Sequence, residues 1–134
     1  MVLLRAREAV MEEFRPMLLR KGITEQQWRV LRVIREGGEI DASELARNAS
    51  ILAPSLSRII KTLEGNGMIS TRRDPNDGRR ALIRLTDRAE AFINEVAPES
   101  AAIYAELEKR IGKTAIADVM HSLDALLTAL ETKS

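Results

Sequence analysis

The chain of 134 residues contains no cysteine, one histidine and few aromatic side chains, which make up 3% of the sequence. The absence of cysteine excludes disulfides, thiolate nucleophiles and cysteine-ligated zinc. A single histidine leaves neither a histidine pair for a metal nor a nucleophile–base constellation. The scarcity of aromatic side chains disfavours a platform on which single-stranded bases stack. The composition therefore predicts a protein that is not an enzyme and that holds no metal or cofactor.

The sequence also lacks a long apolar run, since none approaches the roughly 18–20 residues that a membrane-spanning helix requires. The apolar start, residues 1–4, is soon followed by Arg5, Arg7 and Glu8, so it does not resemble the apolar segment of a signal peptide. We therefore expect a cytoplasmic protein without a membrane partner, and the lack of cysteine agrees with a reducing compartment. The length and a 45% share of hydrophobic residues fit one domain with its own core.

The formal net charge of +1 conceals an uneven distribution along the chain. Residues 55–88 contain eight basic and four acidic side chains, whereas residues 89–134 contain four basic and eight acidic ones. Local positive charge attracts a phosphate backbone more than the total charge does. The middle of the chain is therefore the predicted surface for contact with nucleic acid.

Residues 54–64 have two chemically distinct faces when they are read as a helix. Apolar side chains recur at helical spacing and are expected to face a core: Leu56, Ile59, Ile60 and Leu63. Small polar and basic side chains occupy the other face: Ser55, Ser57, Arg58, Lys61 and Thr62. A DNA major groove admits a helix of this kind. An ordinary solvated surface helix shows the same pattern, so this stretch alone leaves both interpretations open.

Helix-start signals precede this stretch, and a change of period follows it. Thr24 with Gln27, and then Asp41 with Glu44, have the spacing of N-caps followed by a polar residue three positions later. Residues 68–72 and 81–85 have the partial alternation of strands, and arginines surround the Asp-Pro and Asp-Gly turn signals in residues 73–80. The order predicts a helix-turn-helix followed by a β-hairpin with a basic tip, which is a wing. A structural hairpin with a basic surface is the alternative.

The two ends of the chain are predicted to be helices with wide apolar stripes. These stripes lie in residues 3–18, 92–111 and 116–130, and they contain more large aliphatic side chains than one small winged domain needs. Apolar helices that extend beyond a domain usually find a partner, and a two-fold dimer is the most common closed arrangement. We therefore expect residues 2–22 and 87–134 to be dimerisation helices that flank a winged helix-turn-helix region at 24–86. A monomer whose terminal helices simply cover the winged region is the alternative.

Taken together, these segments resemble the MarR family of bacterial transcription regulators over nearly the whole chain. The resemblance rests on residues 24–31, 44–46, 54–58, 63–64, 67–69, 74–80 and 85–86. Within the family it is strongest to the HpaR-type regulators of aromatic-acid catabolism. The resemblance implies a single MarR-type domain, mainly α with a small β-hairpin. It further implies a homodimer that binds a double-stranded operator, usually as a repressor, and is released by a small aromatic or phenolic effector.

Residue roles follow from the same resemblance. The acidic-x-Arg motif of the family's wing lies at Asp77 and Arg79, where the aspartate orients an arginine that enters the minor groove. The complete set of predicted DNA-binding residues combines the helix and the wing: Ser55, Ser57, Arg58, Lys61, Thr62, Arg73, Asp77, Arg79 and Arg80. Residues near Phe14, Leu18, Trp28 and Arg29 are predicted to line an effector pocket, although Trp28 also fits the apolar pattern of its own helix.

The sequence departs from the family pattern in two ways, and two other functions are compatible with it. The Leu85-Thr86 element is followed by residues 87–89 without the glycine that many members carry, and the absence of cysteine excludes thiol sensing. A winged-helix module that docks its basic face on an acidic protein would share the fold but show no preference among DNA duplexes. A small-ligand binding protein that does not bind DNA would keep the pocket and have a dispensable wing.

Overall fold

Six helices and three strands follow one another in the computed structural model, which describes residues 1–132. The helices are α1 (Val2–Arg20), α2 (Glu25–Gly37), α3 (Ala42–Ala49), α4 (Ala53–Gly65), α5 (Asp87–Ile111) and α6 (Lys113–Glu131). The strands are β1 (Ile40–Asp41), β2 (Ile69–Asp74) and β3 (Asp77–Leu85). The predicted fold class, mainly α with a small β-hairpin, is confirmed. Within residues 1–132, each helix is either too short or too polar to span a bilayer.

The chain divides into two compact units, Met1–Pro98 and the residues from Glu99 onward. The first unit contains the helix-turn-helix and the hairpin, and its core is formed by apolar side chains that are almost completely buried. These include Leu18, Val30, Leu31, Leu45, Leu63, Ile83, Ala89 and Val96. Burial of these side chains supplies the main free energy that holds the winged region together.

Helix α2 begins with the capping box that its sequence predicts. The Thr24 hydroxyl oxygen accepts a hydrogen bond from the Gln27 amide at 3.1 Å, and the Gln27 side-chain oxygen accepts one from the Thr24 amide at 3.1 Å. Two amide groups that the helix cannot pair internally are thereby satisfied. The cap fixes where α2 starts and therefore where its buried face lies.

Replacing Thr24 with alanine removes this cap, and we expect the free energy of unfolding to fall by about 1 kcal/mol. Urea denaturation followed by circular dichroism measures the change. Thr24→Ser is the matched control, because serine keeps the acceptor oxygen and should retain nearly all of the stability. Equal losses in the two variants would contradict a capping role for the hydroxyl.

Helices α3 and α4 form the predicted helix-turn-helix. The Asp41 side chain caps α3 by accepting a hydrogen bond from the Glu44 amide at 2.8 Å. Ser50 ends α3 in the left-handed conformation, with φ of 53°, and Pro54 lies in the first turn of α4. Among the predicted inward-facing residues of α4, Leu56, Ile59 and Leu63 are buried, and Ile60 is half-buried. The side chains of the opposite face are left at the surface.

The hairpin is longer than predicted. The expected strands were residues 68–72 and 81–85, joined by a loop at 73–80. In the structure β2 continues to Asp74 and β3 already begins at Asp77, so only Pro75 and Asn76 connect the two strands. Arg73, Asp77, Arg79 and Arg80 thus lie in strands and not in a loop. The prediction was wrong because apolar alternation stops where the ribbon becomes exposed on both faces, whereas main-chain pairing continues to Asp74 opposite Asp77.

The third strand, β1, was not predicted from the sequence. Its two residues pair with β3, Ile40 opposite Ile83 and Asp41 opposite Leu82, which gives the sheet order β1-β3-β2. A two-residue strand carries no periodic pattern, so it is recognisable only from its partner. Its pairing attaches the hairpin to the start of α3.

The predicted terminal helices are present, and much of their apolar surface is exposed in the single chain. In α1, Leu3 and Leu4 are 59% and 54% exposed, whereas Phe14 and Leu18 are buried. None of the residues in α6 is buried. Lys133 and Ser134, the last two residues of the predicted dimerisation segment 87–134, lie outside the described residues. The exposure is the pattern expected of helices that pack against a second copy.

Candidate nucleic-acid interface

Helix α4 presents its predicted polar face at the surface. Ser57, Arg58, Lys61 and Thr62 are exposed and Ser55 is half-buried. The Arg58 guanidinium donates a hydrogen bond to the Ser55 hydroxyl at 3.4 Å, and the Thr62 hydroxyl donates to the Arg58 carbonyl at 3.1 Å. The structure therefore brings all five predicted residues of this helix to the surface, where Lys61 and Arg58 carry the positive charge.

The end of α4 is held to the hairpin by local hydrogen bonds. Gly67, with φ of +74°, adopts the left-handed conformation that glycine tolerates best, and the Met68 amide donates to the Leu63 carbonyl at 2.9 Å. The Thr71 hydroxyl then donates to Glu64 Oε2 at 2.7 Å, which joins β2 to the last turn of α4. Thr86, which directly follows β3, donates from its hydroxyl to the Gly67 carbonyl at 2.6 Å. We call residues 69–85 the wing, and these contacts fix its base against α4.

Arg79 extends from the wing into solvent. Its side chain is 95% exposed, and its Nε lies 3.6 Å from Asp77 Oδ1. The same Asp77 oxygen accepts a hydrogen bond from the Arg79 amide at 3.1 Å. The aspartate thus shapes the backbone at Arg79 and lies beside its guanidinium, which is the arrangement that the acidic-x-Arg motif implies.

The other arginines of the wing are engaged within the chain. The Arg73 guanidinium donates to the Gly78 carbonyl at 2.6 Å, and Arg72 makes two hydrogen bonds to the Glu39 carboxylate at 2.9 and 2.8 Å. Arg80 donates to Asp41 Oδ2 at 2.8 Å and to Asp74 Oδ2 at 3.1 Å. The sequence grouped these arginines as one basic tip, whereas the structure separates Arg79 from the rest.

These contacts shift the pKa values of the carboxyl groups that take part in them. The Glu44 amide, followed by the Arg80 guanidinium, lowers the pKa of Asp41 below its ordinary value. The Asn76 amide has the largest effect in lowering the pKa of Asp74, and the Arg72 guanidinium lowers that of Glu39. All three groups are therefore carboxylates at neutral pH.

The four predicted effector-binding residues occupy different environments. Phe14, Leu18 and Trp28 are buried in the core of the first unit, and Arg29 is half-buried. A surface groove of about 520 Å³ lies between α1 and α2, and of these four residues only Leu18 lines it. The Nε atom of Arg29 is buried without a hydrogen-bond partner among the described residues. A buried guanidinium nitrogen without an acceptor is uncommon and marks a place where an acceptor group would be stabilised.

Two residues around Trp28 were not predicted from the sequence. The Phe92 ring meets the Trp28 ring edge to face, with 6.2 Å between centroids, and the Arg32 guanidinium lies 5.8 Å from the Trp28 ring centroid. Arg32 is one helical turn after Trp28, a spacing that the sequence does contain. Phe92 is distant in sequence, so no local pattern could have identified it.

The fold and this surface define a winged helix-turn-helix protein, and comparisons with known proteins agree. The model of the MarR family matches residues 23–81. The transcriptional regulator FarR of Neisseria gonorrhoeae is 40% identical over 111 residues, which cover 83% of this chain and 76% of FarR. The homoprotocatechuate degradative operon repressor of Escherichia coli is 34% identical over 125 residues, 93% of this chain and 84% of the repressor.

Solved structures give the same result. The transcriptional regulator PA4135 superposes with a TM-score of 0.93 at 35% identity, over 95% of this chain and 93% of that one. NadR in complex with 4-hydroxyphenylacetate superposes with a TM-score of 0.81 at 37% identity, over 98% of this chain and 91% of that one. The repressor CouR bound to a 23-mer DNA duplex superposes with a TM-score of 0.80 at 25% identity, over 98% of this chain and 90% of that one. The chain belongs to the MarR family.

Proposed function

We propose that this chain is a non-enzymatic transcriptional repressor that acts in the cytoplasm as a homodimer. It binds a pseudo-palindromic operator and leaves it when a small aromatic acid binds. The observation that carries this proposal is the pairing of an exposed polar and basic face on α4 with a wing whose Arg79 is almost completely exposed. Major-groove helix and minor-groove arm together are an established way of reading duplex DNA.

The proposal assigns different tasks to the residues of α4 and of the wing. Arg58 is the side chain of α4 that can reach a guanine edge with two hydrogen bonds, while Ser55, Ser57, Lys61 and Thr62 position the helix on phosphates. Arg79 enters the minor groove, where a narrow groove concentrates negative potential. Asp77 orients Arg79, and Arg73 supports the turn of the wing through the Gly78 carbonyl.

The homodimer supplies the second half of the reading surface. A two-fold axis duplicates α4 and the wing, so the operator should consist of two related half-sites about one helical turn apart. The exposed apolar side chains of α1 and α6 are the proposed contact surfaces between the two copies. CouR, a repressor bound to a DNA duplex, and the operon repressor of Escherichia coli support the operator-binding part of the proposal.

The proposed effector is an aromatic acid with a phenolic hydroxyl. Its carboxylate would accept one hydrogen bond from the unpaired Arg29 Nε, and the region of Trp28, Arg32 and Phe92 would accommodate its ring. Phe14 and Leu18 would supply apolar contacts to the ring from α1. The homoprotocatechuate operon repressor and NadR with 4-hydroxyphenylacetate, both more than 30% identical to this chain, support this chemical class.

Fluorescence anisotropy with duplexes selected from a randomised pool tests the function. The selected duplex should bind about 1,000-fold or more tightly than a scrambled one at the same salt concentration, and its affinity should fall as salt rises. Adding 4-hydroxyphenylacetate should release the duplex and change the fluorescence of Trp28, the only tryptophan. Acetate is the control for a carboxylate without a ring.

Two outcomes would contradict the proposal. Equal affinity for selected and scrambled duplexes would overturn sequence-specific binding and favour the module that docks on an acidic protein. Specific binding that 4-hydroxyphenylacetate, homoprotocatechuate and related phenolic acids leave unchanged would overturn the effector class alone.

A further inference from the structure

Arg80 lies beside Arg79 in β3, yet the two side chains have different surroundings. Neighbouring residues of a strand point to opposite faces. Arg79 is directed into solvent, with 95% of its side chain exposed, whereas Arg80 is 45% exposed and contacts two carboxylates. One face of the wing therefore points away from the helix-turn-helix and the other is attached to it.

The two carboxylates that Arg80 contacts are themselves held in place. Asp41 is the N-cap of α3 through its other oxygen, Oδ1, which accepts from the Glu44 amide at 2.8 Å. Asp74 stabilises the hairpin connection, since its Oδ1 accepts from the Asn76 amide at 2.9 Å. Arg80 therefore joins the start of α3 to the turn of the wing through two carboxylates that cannot move independently of those elements.

A parallel contact lies nearby, because Arg72 of β2 makes its paired hydrogen bonds to Glu39, two residues before Asp41. Arg72 and Arg80 thus both use acidic side chains from the segment between α2 and α3. The side chains of Glu39 and Asp41 are only 29% and 22% exposed.

We propose, on the basis of the function proposed above, that Arg80 is a positioning residue that sets the angle of the wing through Asp41 and Asp74, and not a phosphate contact. In this arrangement a negatively charged side chain, Asp41, strengthens binding to a polyanion. It does so because the wing must hold Arg79 at the minor groove while α4 occupies the major groove. The lowered pKa of Asp41 agrees with a carboxylate that stays ionised throughout.

Asp41→Asn separates the two roles of Asp41. Asparagine is as good an N-cap as aspartate, so α3 should keep its start, while the ion pair with Arg80 is lost. Simple electrostatics predicts tighter DNA binding when an acidic side chain is removed. The positioning role predicts the reverse. Affinity of the dimer for the selected duplex falls about three- to tenfold, since both wings lose the contact, and affinity for a scrambled duplex barely changes.

Asp87→Asn, at an exposed aspartate that begins α5, is the matched control and should leave both affinities unchanged.

Arg80→Gln distinguishes positioning from phosphate contact. Loss of a phosphate contact lowers the slope of log affinity against log salt by roughly 1 for each wing, whereas loss of a positioning residue leaves the slope unchanged. The double variant Asp41→Asn with Arg80→Gln should bind no more weakly than Arg80→Gln alone, because Arg80→Gln already breaks the contact with Asp41. Amide hydrogen exchange in residues 70–84, measured without DNA, should accelerate in both single variants, and more in Arg80→Gln, which also loses the contact with Asp74.

The outcomes are distinguishable. Wild-type chain that binds all duplexes equally overturns the proposed function and this inference with it. Specific binding by the wild type, combined with a lower salt slope in Arg80→Gln, tighter binding in Asp41→Asn or additive losses in the double variant, overturns the inference alone.

Discussion

Replacing Arg79 with alanine should lower the affinity for the selected duplex about 10- to 100-fold, since each dimer loses one minor-groove contact at each wing. The Arg79 side chain makes almost no contact with its own chain, so the fold should be unaffected. The slope of log affinity against log salt should fall by roughly 1 for each wing. Anisotropy at graded salt measures both quantities.

Two further variants sharpen this test. Arg79→Lys keeps the charge but loses the planar guanidinium, so it should recover affinity for scrambled DNA more than affinity for the selected duplex. Arg5→Ala removes an exposed arginine from α1, outside the wing and α4, and serves as the control for charge once sedimentation shows that this variant is still a dimer. Wild-type affinity and slope in Arg79→Ala would remove the wing from the proposed interface.

Introducing a carboxylate at Leu127 should abolish the dimer at micromolar concentration. Several large apolar side chains of α6 are exposed in the single chain: Val119 55%, Met120 53%, Leu126 45%, Leu127 51% and Leu130 68%. A two-fold interface places Leu127→Asp in both copies, where an unpaired charge would have to be buried twice. Analytical ultracentrifugation should show a folded monomer, and affinity for the full operator should fall about 100-fold or more because the two half-sites are no longer bound together.

The control for this variant is Thr128→Asp, which adds the same charge one residue later on the same helix. Thr128 shares the side of α6 that carries His121 and Asp124, so the dimer should persist there. A wild-type chain that sediments as a monomer, or a Leu127→Asp chain that remains a dimer, would contradict the proposed role of α6.

The sequence could predict those parts of the fold that depend on neighbouring residues. Thr24 and Asp41 cap their helices as predicted because the donor and acceptor lie three residues apart. The buried face of α4 follows from a spacing that any helix imposes. Family resemblance added the wing motif, in which Asp77 and Arg79 are also close in sequence.

The remaining features depend on contacts between distant residues. Arg72 contacts Glu39 and Arg80 contacts Asp41, which lie 33 and 39 residues away, so the sequence could not separate these arginines from Arg79. Strand β1 is recognisable only from its pairing with β3. Likewise, the Phe92 ring beside Trp28 and the unpaired Arg29 nitrogen result from packing between helices.

The small hydroxyl of Thr86 links the end of α4 to the start of α5. It donates to the Gly67 carbonyl just after α4 and accepts from the Ala89 amide in the first turn of α5 at 3.2 Å. An effector that displaces the first turn of α5 must therefore move the end of α4 or break this link. Thermodynamic reciprocity then has a measurable consequence: bound operator must weaken the affinity for the effector by the same factor by which the effector weakens the affinity for the operator.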